Sequence, residues 1–379
     1  MSVAATPRIP LVDLGAQFLS IRDEVMPAIE DVMRRSAFIH GPFVAAFESE
    51  MAAFTRAVHC VGAANGTEAI FVALKALGVK PGDEVITVAN TFTATAEAIE
   101  WTGARPVLVD IDPRDHLINP EAVAAAVTSR TVGIVPVHLF GQPARMRELK
   151  DIADRHGLFL VEDAAQAHGA SEGGRPVGKL SQATTYSFYP GKNLGAYGDA
   201  GAVTTNDAAL AECIRVISDH GRVGRYEHAV VGYGSRLDGL QAAILSVKLR
   251  HLADWTARRR RIAARYDALL AGAPGLASVR PRHDTVAVYH LYVVEVEPEH
   301  RDPLRAWLDR DGIDTGIHYP IPLHMQAAYA HLDLPEGAFP VAEAKAKRIV
   351  SLPIYPELSE AQQDQIVGSV RAYLEQHAR

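Results

Sequence analysis

Short apolar runs alternate with helix-type segments between residues 57 and 205, and this alternation determines the fold class. Runs rich in Val and Ile predict strands at 83–88, 104–110, 131–137 and 158–163. They lack strict apolar–polar alternation, which is typical of strands buried on both faces. Helix-type segments accompany them at 67–77, 94–102, 120–127 and 143–156. The repetition predicts an α/β fold with a largely parallel sheet and helices on both faces.

The pattern changes after this region. Two more predicted strands, 184–189 and 201–206, flank a glycine-rich loop. From residue 236, a stretch without proline predicts one long helix or a pair of helices. Ser359 and Gln362 form a capping box that opens the last helix. We therefore predict three parts: an N-terminal arm (1–35), a large α/β domain (36–250) and a small C-terminal α+β domain (251–379).

Composition excludes several classes of protein. The net charge of -7 provides no basic excess to neutralise phosphates, so we expect no nucleic-acid partner. Two cysteines cannot form a disulfide framework or a structural zinc site, and we expect no metal. The N-terminus lacks the apolar core of a signal peptide and no apolar run approaches the length of a membrane span. These features predict a cytoplasmic protein without a membrane partner.

Several polar or aromatic residues lie just after predicted strands, where parallel sheets bind ligands. Gly66 and Thr67 open a helix whose free amides could hold a phosphate, although an ordinary capped helix has the same pattern. Phe92 follows strand 83–88 and could stack on a flat ligand or fill the core. Asp163 ends strand 158–163, where a carboxylate needs a partner. His168, five residues later, has the pattern of a packed loop histidine.

Lys192 lies in the loop "SFYPGKNLGAYGDAG", five residues after Ser187. Only eight of the 38 basic residues are lysines, so a residue needed only for its charge would more often be arginine. A primary amine forms a Schiff base with a carbonyl, which a guanidinium cannot. Pyridoxal 5'-phosphate (PLP) requires this amine together with a phosphate site, an aromatic shelf and an acid at its ring nitrogen. The candidate residues supply all four.

The motifs "GTEAI", "TFTAT", "EDAAQAHGA", "SFYPGKNLG" and "SRLDGLQAAIL" occur in an order that resembles the DegT/StrS-type sugar aminotransferases, PLP enzymes of fold-type I. The resemblance covers nearly the whole chain and implies that the large domain binds the cofactor. It implies that Lys192 forms the Schiff base and shuttles a proton, and that Asp163 binds the ring nitrogen. Gln166 would bind the ring 3-oxygen and Phe92 would stack on the ring. The phosphate would be held by Gly66, Thr67 and Ser187.

The resemblance also implies a homodimer whose two active sites share residues. A segment that usually reads N-S-R-L-D-E reaches the neighbour's cofactor phosphate through its Asn. Here Gly234 replaces the Asn and Gly239 the acidic residue, which leaves Ser235, Arg236 or a backbone N–H to make the contact. The implied sugar-binding residues are listed together: Tyr189, Tyr226, His318 and His324.

The reaction implied is a transamination in two halves, with pyridoxamine phosphate as the intermediate form of the cofactor. L-glutamate gives its amino group to the cofactor, which then aminates a nucleotide-linked ketosugar. The Lys192 loop is most similar to members that aminate C3 of a dTDP-linked 3-keto-6-deoxyhexose. The alternatives are amination at C4, another PLP-dependent sugar modification, and a PLP-binding regulator without turnover.

Overall fold

The structure, a computed structural model, describes residues 8–377. Residues 1–7 of the predicted N-terminal arm and 378–379 of the predicted small domain lie outside the described residues. The helices are α1 (Leu14–Arg35), α2 (Pro42–Thr55), α3 (Gly66–Ala76), α4 (Thr93–Trp101), α5 (Pro120–Ala126), α6 (Met146–His156), α7 (Ala208–Ser218), α8 (Gly239–Leu269), α9 (Pro298–Arg310), α10 (Pro340–Ala346) and α11 (Glu360–His377). Short 3-10 turns cover Leu139–Gly141, Leu323–Met325 and Ala327–Leu332.

Three sheets contain the described strands. These are β1 (His59–Ala63), β2 (Glu84–Val88), β3 (Arg105–Val109), β4 (Thr131–Val135), β5 (Phe159–Asp163), β6 (Ser171–Glu172), β7 (Arg175–Pro176), β8 (Ala183–Ser187), β9 (Gly201–Thr205), β10 (Ala277–Ser278), β11 (Thr285–Val286), β12 (Tyr292–Glu295) and β13 (Ile349–Leu352). The large sheet has the order β1-β9-β8-β5-β4-β2-β3, and the small ones are β10-β12-β13 and β11-β6-β7.

The large sheet is mostly parallel, as the sequence predicts. Strands β2, β3, β4, β5 and β8 pair in parallel, whereas β9 runs antiparallel to both β8 and β1. The six predicted strands and four predicted helices of this region are each found within three residues of their predicted ends. The predicted α/β fold class is therefore confirmed.

Both faces of the sheet are buried, which explains the continuous apolar runs. Neighbouring residues of one strand enter opposite cores: Val161 joins the core that includes α3 and α7, whereas Leu160 joins the core that includes α5 and α6. Val85 and Ile86 divide in the same way. The sheet is therefore the middle layer of three, and its strand ends are the edge left for a ligand.

Helix α8 is a single helix of 31 residues that packs against α1 and α2 and also contacts α11. The predicted boundary between the domains, at residue 250, falls inside it, and the division into three parts stays a prediction. The small sheet β10-β12-β13 packs with α9 and α11. The capping box is present, since Ser359 N–H donates to Gln362 Oε1 at 2.9 Å. In residues 8–377, no helix has the length and apolar character required to cross a bilayer.

Candidate active site

The strand ends of the large sheet bring the predicted residues to one edge. β5 ends at Asp163 and β8 at Ser187, and these two strands are neighbours in the sheet. β1 leads into α3 at Gly66, and β2 leads into the loop that contains Phe92. Because parallel strands end at the same edge, residues far apart in sequence converge there.

The N-terminus of α3 lies directly against Ser187. Asn65 caps the helix, accepting the Glu68 N–H at 2.9 Å. The first amides, at Gly66 and Thr67, precede the hydrogen-bond ladder of the helix and are free for an anion. A Cβ at Gly66 would lie 2.5 Å from Ser187 Cβ, so only glycine permits this close approach. Two amides and a hydroxyl thus lie close together, in the arrangement that a phosphate group requires.

Asp163 is buried and held by two donors. Its Oδ1 accepts the Ala165 N–H at 3.1 Å, and its Oδ2 accepts the Thr95 hydroxyl at 2.8 Å. These two donors fix the orientation of the carboxyl group. An oriented carboxylate at a strand end is the partner that a protonated ring nitrogen needs.

Lys192 is held in a closed loop, with its backbone N–H donating to Tyr189 O at 2.8 Å. Burial lowers the pKa of the Lys192 amine to about 8, and the attraction of Asp163 opposes this shift only in part. A larger fraction of the amine is therefore uncharged near neutral pH than for a lysine in water. The uncharged amine is the nucleophile that attacks a carbonyl.

Gln166, Tyr319 and Phe92 form one side of the site. Gln166 Oε1 accepts the Phe140 N–H at 2.7 Å, and its Nε2 donates to the Tyr319 hydroxyl at 3.3 Å. The Tyr319 ring lies 5.8 Å from that of Phe92, and Phe92 is 54% exposed. Of the two interpretations of Phe92, the core residue is thus excluded by its exposure, which leaves a ring face for a flat ligand.

Two histidines near Lys192 are kept uncharged. His318 donates or accepts through Nδ1 with the Ser351 hydroxyl at 2.8 Å, and burial together with the nearby Lys192 charge lowers its pKa to about 4. His168 is fully buried, and its Nε2–H donates to Ser187 O at 3.1 Å. Burial, reinforced by Lys192, lowers the pKa of His168 to about 3. His168 is the packed, hydrogen-bonded histidine that the sequence predicts.

Tyr189 lies beside this cluster, since its N–H donates to the Ser187 hydroxyl at 3.3 Å, whereas the recorded contacts of Arg236 and His324 are made with other residues. Tyr189 and Tyr226 are 60% and 80% exposed. Arg236 donates to Asp219 Oδ1 at 2.8 Å. The ring of His324 is enclosed, with Nε2 bonded to Glu343 at 2.9 Å, so it presents no edge to a sugar in this structure.

Ser235, the other candidate for the missing Asn contact, is completely buried. Its hydroxyl has no hydrogen-bond partner among residues 8–377, while its backbone N–H donates to Ser218 O at 2.9 Å. Gly234, next to it, pairs with Asp219 in a short antiparallel bridge.

Sequence reasoning missed Thr95 and Tyr319, which hold Asp163 and Gln166. Both lie in stretches that the sequence already singled out, the Thr-rich loop after Phe92 and the segment around His318. Their partners are 68 and 153 residues away in the chain, respectively. The motifs indicated the correct segments of the chain, but they did not indicate which residues of those segments are in contact.

The arrangement fits PLP on the structure's own features. A buried amine, a donor-held carboxylate, an exposed aromatic face and a glycine-lined helix N-terminus surround one strand edge. The fold and the site together define a PLP-dependent enzyme of fold-type I. The chain belongs to the DegT/DnrJ/EryC1/StrS aminotransferase family, which matches it over residues 19–371.

Curated relatives span essentially the full chain. A Geobacillus stearothermophilus protein named "Pleiotropic regulatory protein" is 50% identical, over 96% of this chain and 98% of its own. The "dTDP-3-amino-3,4,6-trideoxy-alpha-D-glucose transaminase" of Streptomyces venezuelae is 45% identical, over 99% of this chain and 98% of its own.

Solved structures agree with the fold and cofactor. The crystal structure of S. venezuelae DesV in complex with a ketimine intermediate superposes with a TM-score of 0.96, at 45% identity, covering 98% of this chain and 99% of that one. Related structures at 30% and 26% identity hold the cofactor as pyridoxamine phosphate and PLP. The chain is an enzyme of the aminotransferase class, and its cofactor is PLP.

Proposed function

We propose that this enzyme transfers the amino group of L-glutamate to C3 of a dTDP-linked 3-keto-6-deoxyhexose. The observation that supports this chemistry is the buried Lys192 amine, which interacts electrostatically with the Asp163 carboxylate. Three relatives, 41–45% identical, support the substrate, because each is named as a transaminase of a dTDP-3-amino-dideoxy or trideoxy hexose. Two relatives named for UDP-linked 3-oxo sugars, each 42% identical, also act at C3 by name.

Each residue of the site has a defined role in the proposal. PLP, when bound, withdraws electrons from the substrate carbon and carries the amino group between the two substrates. Lys192 Nζ would accept the proton from the substrate carbon and deliver it to the cofactor carbon. Asp163 keeps the ring nitrogen protonated, and Gln166 orients the ring through its 3-oxygen.

The remaining residues bind and orient. Gly66 and Thr67 donate backbone N–H groups, and Ser187 its hydroxyl, to the phosphate. Phe92 covers the ring and excludes water from one face. Tyr189, Tyr226 and His318 are proposed contacts of the nucleotide sugar. His324, also predicted as a sugar contact, would need to leave Glu343 to make one.

A homodimer with shared sites is part of the proposal. The segment 219–235 is the support for it, because it exposes large apolar side chains: Val231 is 93% exposed, Tyr226 80% and Val223 57%. Apolar exposure on one segment favours coverage by a partner. In the dimer, residues next to Gly234 would reach the partner's phosphate site. A cytoplasmic location stays a prediction from the sequence.

The first experiment records the visible spectrum of the purified protein with PLP, before and after L-glutamate. We expect a visible band that L-glutamate converts to the pyridoxamine form. dTDP-linked 3-keto-6-deoxyglucose should then restore the visible band and yield a 3-amino sugar. The Lys192→Ala variant should lack both responses while unfolding at a similar temperature. An amine at C4, or activity confined to a UDP sugar, would contradict the proposed substrate.

A regulator without turnover is the second candidate, because the relative that is 50% identical is named as a regulatory protein. It predicts that PLP binds Lys192 but that L-glutamate leaves the visible band unchanged. The complete set of Lys192, Asp163 and Gln166 favours the enzyme. The same spectrum decides between them, since only a transaminase converts the band.

A further inference from the structure

Asn193, the residue after Lys192, connects the lysine loop to a distant segment of the chain. It is 3% exposed, and its Nδ2 donates to Val288 O at 3.0 Å. Its Oδ1 lies 3.2 Å from Nδ1 of His290. The side chain therefore makes two hydrogen bonds to residues 95 and 97 positions away. Neither Asn193 nor His290 has a role in the proposed function so far.

The two bonds determine which nitrogen of His290 carries the proton. The Val288 carbonyl can only accept, so the amide nitrogen of Asn193 must face it and the amide oxygen must face His290. An amide oxygen can only accept as well, so His290 Nδ1 must be the donor. The neutral ring thus has its proton on Nδ1 and its lone pair on Nε2.

The surroundings of His290 keep it neutral. Burial is the main cause that lowers the pKa of His290 well below the usual range, and the charges of Lys192 and Arg259 act in the same direction. The Nδ1–H donor does not depend on this shift, because both the neutral ring of this tautomer and the protonated ring carry a hydrogen on Nδ1. A protonated ring would add a third cation beside Lys192 and Arg259.

The backbone that carries His290 is fixed from two sides. Val288 N–H donates to Gly141 O at 2.9 Å, and Arg259 donates to Ile354 O at 2.8 Å and to Tyr289 O at 3.3 Å. A Cβ at Gly141 would lie 2.8 Å from the His290 backbone nitrogen, so the two segments are in tight contact.

The same contacts reach the other side of the cofactor site. Phe140, the neighbour of Gly141, donates its N–H to Gln166 Oε1 at 2.7 Å. One continuous set of hydrogen bonds thus relates Gln166, on the ring side, to Asn193, on the lysine side. Lys192 itself has only its backbone fixed by its own loop, and its long side chain has four rotatable bonds to be oriented.

We propose that His290 is a positioning residue for Lys192: its Nδ1–H holds the Asn193 amide and thereby fixes the direction from which the amine meets its carbonyl. The inference rests on the proposed role of Lys192 in imine exchange. Orientation of this kind is a rate effect, and misplacement of about 1 Å lowers a rate by about 100-fold.

Two substitutions at position 290 separate the hydrogen bond from the bulk of the ring. In His290→Asn, a side-chain amide N–H takes the place of Nδ1–H, whereas His290→Leu has no donor. We expect the apoenzyme of His290→Leu to develop the visible band with PLP about 10- to 100-fold more slowly than wild type. His290→Asn should stay within about threefold, with the KM for L-glutamate unchanged in both.

Asn193→Ala removes the same hydrogen bond from the other end. If both act through this bond, the double variant His290→Leu/Asn193→Ala should be no slower than the slower single variant. Thermal unfolding of each apoenzyme shows whether a variant has lost its fold instead. His300→Asn and His300→Leu are the matched control pair. His300 lies in α9, and its Nδ1 also makes one hydrogen bond, to the Tyr373 hydroxyl at 3.1 Å.

The outcomes are distinct. The positioning role is overturned if His290→Leu develops the band at the normal rate, or if His290→Asn and His290→Leu are slowed equally. In either case, a visible band in the wild-type protein still supports the proposed function. Multiplying effects in the double variant also overturn it. A wild-type protein without any visible band would instead overturn the PLP site and this inference together.

Discussion

Lys192 has its chemistry changed by its position alone. Its pKa, about 8, lies below the 10.5 of a lysine in water because burial disfavours the charged form more than Asp163 favours it. A depressed pKa for a base means that the proton is lost at lower pH. The reactive, uncharged amine therefore becomes the major form as the pH rises through about 8.

This environment gives a pH prediction for the apoenzyme. The rate constant for development of the visible band with PLP should rise about tenfold per pH unit below pH 8 and become level above it. Stopped-flow absorbance between pH 6 and pH 10.5 measures the profile. A rate that continues to rise up to pH 10.5 would mean that Lys192 titrates like an exposed lysine, contrary to its burial.

Gly66 gives the second prediction at the scale of the residue. In Gly66→Ala the added methyl would lie 2.5 Å from Ser187 Cβ, and neither backbone can move without disturbing α3 or β8. We expect the affinity for PLP to fall at least about tenfold, with a loss of about 1–3 kcal/mol in stability from overpacking. Fluorescence titration of the apoenzyme with PLP and chemical unfolding provide the two measurements.

A second glycine serves as its control. Gly368 lies in α11 with open space around it, so Gly368→Ala should leave PLP affinity unchanged and stabilise the protein by about 0.5–1 kcal/mol. Equal PLP affinity in Gly66→Ala and wild type would show that the contact between α3 and β8 is not part of the phosphate site.

At the scale of elements, the buried strands and their helices could be predicted because each has a local cause. Runs such as "DEVITV" are apolar on both faces, and the observed β2 is buried at all five residues. The choice between one helix and a pair at residue 236 could not be made locally. α8 continues unbroken because both its halves find packing partners, which are distant in sequence.

The residues of the site also fall into two groups, those with a local signal in the sequence and those without one. Lys192, Asp163, Gln166 and Ser187 are recognisable because motif order identifies them, and β5 and β8 then bring them together. His290 carries no local signal, since its partner Asn193 is 97 residues away. The burial of His324 likewise depends on Glu343, a contact that no local pattern predicts.

Helix α8 contributes a buried lysine that supports the loop after Lys192. Lys248 has no exposed surface, its Nζ donates to Gly195 O at 2.5 Å, and it lies 4.7 Å from the centre of the Tyr197 ring. Burial lowers the pKa of Lys248 to about 8, against a small opposing effect of Glu357. The charged amine thus both supports the loop and destabilises the fold at neutral pH.

These opposing effects should make the difference in free energy of unfolding between wild type and Lys248→Met depend on pH. Below pH 8 Lys248 is charged in both the folded and unfolded states, so the stability difference between wild type and variant is constant. Between pH 8 and 10.5 only the folded state has lost the proton, so wild type gains up to about 3 kcal/mol relative to the variant. Urea unfolding at several pH values measures the difference.

Near pH 7 the loss of one hydrogen bond to Gly195 and the relief of a buried charge oppose each other, and we expect a net change within about 2 kcal/mol. Lys150→Met, in α6, where the amine bonds the Asp154 carboxylate at the surface, is the matched control for the same change outside the core. A stability difference for Lys248→Met that does not change with pH would contradict the burial of the Lys248 charge.

At the scale of the molecule, the site is assembled from both ends of the chain. The Tyr329 hydroxyl bonds the Thr93 hydroxyl at 2.6 Å, and Leu323 N–H donates to Ala89 O at 2.9 Å, so the C-terminal part is joined to the strand edge. Within one chain, Gly234 pairs with Asp219 and Arg236 donates to Asp219 Oδ1, and among residues 8–377 neither makes a hydrogen bond to the proposed phosphate-site residues. In the proposed homodimer, the segment 234–239 would serve the partner's site instead.

Subunit mixing tests this explanation directly. Lys192→Ala lacks the amine, and Arg236→Ala alters the segment next to Gly234, so each alone should be strongly impaired. If the segment serves the partner's site, a mixed dimer contains one site with an intact Lys192 and an intact segment from the other chain. Refolding the two variants together at equal amounts should then restore about a quarter of wild-type activity, since half the dimers are mixed and each has one complete site.

A segment that serves its own chain gives the opposite result, because every site of every dimer then lacks one of the two residues. Activity of the mixture would stay at the level of the separate variants. Sedimentation of the mixture shows that dimers have formed, and wild type refolded with Lys192→Ala controls for subunit exchange. Restoration without any dimer would contradict sharing between subunits, since complete sites could not then arise by exchange of the segment.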